Sequence, residues 1–191
     1  MDVIRYAELV QTPWKNGGGL TRQIATCLDG KAMVWRLSLA DVLQDGAFSC
    51  FPGLTRVLTV VSGAGMRLEH GTKAMTADPW LPLRFDGAQD VFGRLVAGQV
   101  RNFNLMFDAE VCDAKVEILH GPHTQGVSAD CAIHCLSGAP CVGTVAMTAF
   151  DTILTDETTR ALTLAAGDAV LVVAFRYPVQ RLSTSRAIVL R

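Results

Sequence analysis

Arg56 lies in the β-branched run from Thr55 to Ser62, where every second residue shares one side of an extended strand. Its companions on that side are Leu58 and Val60, so the guanidinium is expected to look into an apolar interior. A charge placed there needs an opposite charge, because burying it unpaired is costly. A protein carboxylate or a bound ligand can supply it. The flat guanidinium fork suits a ligand carboxylate held by two parallel hydrogen bonds, and the ligand is the reading we carry forward.

The segment Lys15-Asn16-Gly17-Gly18-Gly19 is a second candidate. Three glycines permit positive φ and let successive N–H groups converge on an anion. No Gly-Lys-Ser/Thr follows, and residues 20–25 read as a strand, so this is not a phosphate-binding P-loop. Two readings stay open: a ligand-contacting loop that uses Lys15, Asn16 and Gly18, or a tight turn closing one end of a barrel under Trp14. Arg36 and Ser38 share a face opposite Trp35 and Leu37. A solvated outer face is the simpler reading of that alternation, and ligand contact the rival. Asn104 shares a face with Met106; Asn104 can read a carboxylate or an amide, while Met106 suits plain packing. With Arg22, these residues form the candidate ligand set: Lys15, Asn16, Gly18, Arg22, Arg36, Ser38, Arg56 and Asn104.

Other chemistries find little support. Two metal ligands on one strand face need i, i+2 spacing, and His120 and His123 are three apart. His70 falls in an expected turn, and His134 with Cys135 reads as core strand. We therefore expect no metal and no cofactor. No Gly-x-Ser-x-Gly elbow occurs, and adjacent His134 and Cys135 should point to opposite faces of a sheet, so no catalytic residue is assigned.

These residues need elements to hold them. Of 191 residues, 50% are hydrophobic and 18% charged, enough apolar surface for a sizeable core and too much for a disordered chain. The formal charge of −1 gives no footprint for a phosphate backbone, so nucleic acid is not an expected partner. No leader-like segment or membrane-length apolar run is apparent, which leads to the expectation of a cytoplasmic protein away from membranes, with its six cysteines reduced. Period-2 alternation dominates. Strands are expected at 35–40, 55–62, 66–69, 103–107, 132–136, 141–149, 162–164 and 169–175, with turns at Ser62-Gly63-Ala64-Gly65, Ser137-Gly138-Ala139-Pro140 and Ala165-Ala166-Gly167-Asp168. Val61-Ser62-Gly63-Ala64 echoes Leu136-Ser137-Gly138-Ala139, as a duplicated β-barrel would produce. The charged stretch Asp108 to Val116 is the expected join.

Residues 14–25 read WKNGGGLTRQIA, 35–42 WRLSLADV, 46–61 GAFSCFPGLTRVLTVV, and 102–107 NFNLMF. Together, in this order, they resemble the HutD/Ves family, whose members look like two fused cupin barrels. The resemblance is dense from about residue 12 to 107. It implies an all-β bicupin of two antiparallel barrels, residues 1–108 and 109–191, packed as one unit. It also implies an association with regulation of histidine utilisation and a pocket for a small carboxylate of the urocanate or formylglutamate kind. The chain departs from the family pattern at Gln23, Thr55 and Asn102, where acidic residues are usual, so ligand preference is expected to differ. The function expected is thus a metal-independent carboxylate-binding regulator, with a metal-free cupin isomerase or lyase as the alternative. Self-association into a homodimer stays open.

Overall fold

The computed structural model describes residues 1–127, 129–156, 158, 160–178 and 186–190. Among them the chain is all-β with antiparallel strand pairing, apart from one 3-10 turn at Tyr6–Glu8 and an isolated parallel bridge between Val60 and Pro79. No helix of the described residues is long and apolar enough to cross a membrane.

The chain divides into two compact units. One is built on Val10–Cys112 and holds strands β2 (Gln11–Pro13), β3 (Gly19–Asp29), β4 (Ala32–Val42), β5 (Gly46–Ala47) and β6 (Thr55–Ser62). It continues with β7 (Met66–His70), β8 (Lys73–Ala77), β9 (Leu83–Asp86), β10 (Phe92–Leu95) and β11 (Val100–Phe107). The other, Met1–Leu9 with Asp113–Tyr177, contains β1 (Asp2–Ile4), β12 (Asp113–His120), β13 (His123–Val127), β14 (Cys131–Ser137) and β15 (Cys141–Val142). It closes with β16 (Val145–Ala146), β17 (Thr152–Leu154), β18 (Arg160–Leu164) and β19 (Ala169–Arg176). The last strand, β20 (Arg186–Leu190), returns to the first unit and pairs with β3.

Between the two units the chain passes from Cys112 to Asp113. The ends of the chain do not respect the expected 1–108 and 109–191 partition. Strand pairing decides this: β1 hydrogen-bonds β17, and β20 hydrogen-bonds β3, so each terminus is built into the unit of the opposite half.

Each unit has two sheets, and their strand orders repeat. The first unit contains the path β4-β11-β6-β9 and a separate sheet β5-β10-β7-β8. The second contains β12-β19-β14-β17 and β13-β18-β15-β16, the same two orders displaced by eight strands. The echo between residues 61–64 and 136–139 sits at equivalent turns of this repeat, and Gly63 and Gly138 both adopt positive φ there. Within the second unit the space between sheets is filled by Val127, Ile133, Cys135, Val142, Met147, Ile153 and their neighbours. Within the first, Leu58, Val60, Met66, Leu68 and Val91 fill only part of it.

One strand expectation is corrected. The run expected over 141–149 is two short strands, β15 and β16, folded on each other with Cys141 opposite Ala146. Gly143, at φ +61, makes the reversal that a continuous strand would not allow.

Candidate functional site

Three neighbouring strands place the candidate residues in rows. β11 lies between β4 and β6, and directly opposed residues project to the same face of a sheet. The first row is Arg36, Met106 and Arg56; the second Ser38, Asn104 and Leu58; the third Ala40, Asn102 and Val60. The opposite face of β4 carries Trp35, Leu37 and Leu39, all fully buried. Both faces of β4 are therefore covered. The expected solvated outer face at Arg36 and Ser38 is wrong, because the strand is central and its second face lines a cavity of about 580 Å³.

The cavity is lined by Arg36, Ser38, Arg56 and Asn104, with Asn102 and Met106 beside them. Lys15 and Asn16, exposed, stand at its rim. Six of the eight expected ligand residues thus meet around one space. Two do not. Arg22 donates from Nη1 to Asp41 Oδ2 at 2.7 Å, and Arg101 donates to the same carboxylate from Nη2 at 2.9 Å. Burial alone would raise the Asp41 carboxyl, but hydrogen bonds from Arg101 and Arg22 outweigh it and hold the group below its usual range. That cluster accounts for Arg22, and it lies outside the cavity lining.

Gly18 is also accounted for by local structure. Its N–H donates to Asn16 Oδ1 at 3.0 Å, the Gly17 N–H to the Trp14 carbonyl at 3.0 Å, and the Trp14 N–H to the Gly19 carbonyl at 2.9 Å. The amides expected to converge on an anion are used to close the turn. Gly19 is required there for another reason. A Cβ on it would collide with the Asp41 carbonyl oxygen and press on the Trp14 ring. The Gly-rich segment is thus a tight turn whose first residues, Lys15 and Asn16, face the cavity.

Arg56 is buried, with only 6% of its surface exposed. Its Nη1 donates to the Ser49 carbonyl at 3.2 Å, and its Nε, also buried, has no hydrogen-bond partner. The guanidinium lies over three aromatic rings, 5.0 Å from the centroid of Phe85, 5.5 Å from Phe51 and 5.6 Å from Phe48. Arg36 lies 5.4 Å from the same Phe51 ring, and its Nε is likewise buried and unpartnered. Among the described residues no carboxylate forms a salt bridge with either guanidinium. Ring faces stabilise a desolvated cation by about 2 kcal/mol or more, but they bring no opposite charge to it. Desolvation, and then the positive charge of Arg36, bring the Arg56 pKa down to about 10. Desolvation lowers that of Arg36 as well.

The loop bearing Phe48 and Phe51 is fixed by its backbone. The Phe48 N–H donates to the Val91 carbonyl at 2.8 Å, the Phe51 N–H to the Gly87 carbonyl at 2.7 Å, and the Gly87 N–H to the Leu54 carbonyl at 2.8 Å. Trp14 meets Phe48 edge-on at 6.3 Å and donates from Nε1 to Thr21 Oγ1 at 2.8 Å. The aromatic wall is therefore assembled from two loops pinned to strands. The sequence reading did not select Phe48, Phe51 or Asn102. Asn102 has the same parity as Asn104 and Met106, so its placement was readable from the alternation. The two rings lie in a loop, where alternation carries no information.

Thr55 is opposed to Asp86 and Phe107, on the other face of β6 from Arg56. An acid at that position would point away from the guanidinium, so the departure there does not decide the partner of Arg56.

The lining contains no Asp, Glu, His or Cys side chain. The donor set does not fit a resident transition metal, and among the described residues no group of three or more such side chains converges elsewhere. In the second unit His134 Nδ1 lies 2.9 Å from Thr152 Oγ1, while Cys135 packs into the core, its thiol pushed up to about 11 by burial.

A protein-family model described as HutD matches residues 6–173. An uncharacterised protein encoded in the hutC 3′ region of Pseudomonas putida is 36% identical over 126 residues, covering 63% of this chain. The chain spans 65% of that relative's length. The structure of HutD from Pseudomonas fluorescens SBW25, in a formate condition, is similar with a TM-score of 0.80 at 30% identity, over 92% of this chain and 98% of that one. A cupin 2 conserved barrel domain protein from Leptotrichia buccalis is similar in fold, with a TM-score of 0.59 at 9% identity, over 92% of this chain and 96% of that one.

Proposed function

This chain belongs to the HutD family, and on that footing we propose that it is a metal-independent binding protein for a small carboxylate, acting in the regulation of histidine utilisation. The observation that carries the ligand class is the pair Arg36, half-buried, and Arg56, buried, which line one cavity with no carboxylate paired to them among the described residues. A carboxylate between them supplies the missing charge and accepts from N–H groups that otherwise lie buried and unsatisfied. Charge-assisted hydrogen bonds of this kind contribute about 1.5–3 kcal/mol each.

The reading includes a bicupin architecture, supported by the repeated sheet topology and the cupin-like neighbour, and a cytoplasmic setting. The regulatory role is supported by the hut-region relative and the HutD structural neighbour. An isomerase or lyase would need a titratable acid or base against the bound molecule; no Asp, Glu or His lines the cavity, and Lys15, exposed at the rim, is the one such candidate in the lining.

A thermal-shift panel tests this reading, with urocanate, formylglutamate and formiminoglutamate set against unrelated acids and uncharged analogues. A ligand present at 100 times its Kd stabilises the fold by about 2.7 kcal/mol. The reading requires at least one carboxylate to do so while its uncharged amide does not. Equal shifts for acid and amide would remove the arginine pair from ligand recognition.

A further inference from the structure

Cys50 is the exposed member of the six cysteines; Cys27, Cys112, Cys131 and Cys135 are buried, and Cys141 is half-buried. It stands in the loop between β5 and β6, with a cavity-lining residue on each side, Ser49 and Phe51. The backbone bonds of Phe48 and Phe51 pin that loop, so the thiol has a fixed place beside the cavity wall. Its Sγ donates to the Gln89 carbonyl at 3.6 Å, a weak bond that ionisation of the thiol releases. Arg56 adds a second element. Its Nη1 donates at 3.2 Å to the Ser49 carbonyl, on the peptide that leads into Cys50. Its Nε, in a side chain only 6% exposed, has no hydrogen-bond partner. Desolvation and the charge of Arg36 lower the Arg56 pKa, and a Cys50 thiolate acts against them, so sulfur and guanidinium are within electrostatic reach.

An exposed thiol beside a fixed cation is the kind that reacts, because the thiolate is the nucleophile. The same cation, with a free N–H, also draws an anion on the incoming molecule. Resting on the carboxylate reading above for Arg56, we propose that Cys50 is a thiolation site selective for disulfides that carry a carboxylate. The Cys50 thiolate attacks one sulfur of the disulfide; a new S–S bond forms as the old one breaks, and the displaced thiolate leaves with the electron pair and takes up a proton. Cys50 is oxidised and the departing sulfur reduced, so no further redox partner is needed. The carboxylate of the retained half is held at Arg56, where a free carboxylate would bind. Thiolation and ligand binding therefore exclude one another.

The test compares 3,3′-dithiodipropionate, which is anionic, with bis(2-hydroxyethyl) disulfide, which is neutral. Peptide mass mapping follows the rate of adduct formation at Cys50 in the full chain, folded and unfolded in urea. Dividing the anionic-to-neutral rate ratio of the folded chain by that of the unfolded chain cancels the intrinsic reactivities of the two reagents. The quotient should be about ten, the equivalent of one charge-assisted contact. In Arg56→Met it should fall to about one. Matching ratios in the folded and unfolded native chain would overturn the proposal without any variant needing to fold. A preference that survives Arg56→Met would overturn the part given to Arg56, and adducts formed on Cys141 in place of Cys50 would overturn the site. Free carboxylates that stabilise the fold while the two ratios match would sink this proposal and leave the carboxylate reading standing. Selective thiolation without stabilisation by any free carboxylate would do the reverse.

Discussion

Arg36 and Arg56 face the same side of the sheet, separated by Met106 on the strand between them, and both guanidiniums lie over the ring of Phe51 at 5.4 and 5.5 Å from its centroid. Two cations gathered on one ring, away from carboxylates, make an arrangement that neutral packing does not explain. The carboxylate proposed above would place the missing opposite charge between them.

Arg56→Met keeps most of the stem volume and deletes the fork. Affinity for a bound carboxylate should fall roughly tenfold to a hundredfold, the equivalent of one charge-assisted contact. Stability should hold or rise, because an uncompensated buried charge is gone. Calorimetric titration and urea unfolding of the variant check both. A loss of several kcal/mol in stability with unchanged affinity would mean that Arg56 serves the fold alone.

The pH dependence follows from the lowered pKa of Arg56. The folded value of about 10 lies below the ordinary guanidinium range, so the unfolded chain holds this proton more tightly. The resulting penalty on the ligand-free fold is fully present below about pH 10 and is relieved as pH rises through that value toward the ordinary guanidinium range. Anion binding has the opposite dependence. Carboxylate affinity measured across alkaline pH should stay level through pH 9 and decline above about 10, as Arg56 loses its charge.

Asp41 predicts a structural effect. It accepts hydrogen bonds from Arg22 and Arg101, and Arg22 is buried. Asp41→Asn leaves that cation short of its counter-charge and should cost about 3 kcal/mol in chemical denaturation. Because the folded pKa of Asp41 is lowered, its contribution is present above the ordinary 3.8 and is lost as pH falls through the lower folded value. The variant should therefore lose part of the acid sensitivity of the native protein.

Gly19→Ala forces a Cβ against the Asp41 carbonyl oxygen and the Trp14 ring. Overpacking of this kind costs about 1–3 kcal/mol. The displaced turn carries Lys15 and Asn16, so carboxylate affinity should drop together with stability. Gly17→Ala supplies the contrast: its Cβ meets nothing nearby, although its φ of +70 is strained for alanine. It should destabilise less.

Much of the scaffold was legible in the alternation. Thr55–Ser62 was read with the bounds that β6 has, and Arg56 was set on the Leu58 and Val60 face where it lies. The same rule misled at Arg36 and Ser38. Alternating polar residues look solvent-facing unless the strand is central and its second face encloses a cavity, and strand order is not written in local periodicity. Arg22 was drawn into the site by its neighbours in sequence, whereas its partner Asp41 comes from the adjacent strand. Phe48 and Phe51 were missed because loop backbone bonds, to Val91 and Gly87, decide where those rings point.

A crystal structure of the protein soaked with a bromine-bearing carboxylate such as 3-bromopropanoate would locate the anion. Bromine's anomalous scattering marks the molecule, and the electron density places its carboxylate. Both oxygens should lie within hydrogen-bond distance of the Arg36 and Arg56 guanidiniums, beneath Phe51. A carboxylate bound elsewhere on the chain, with the cavity filled only by water, would contradict the assignment of these two arginines to ligand binding.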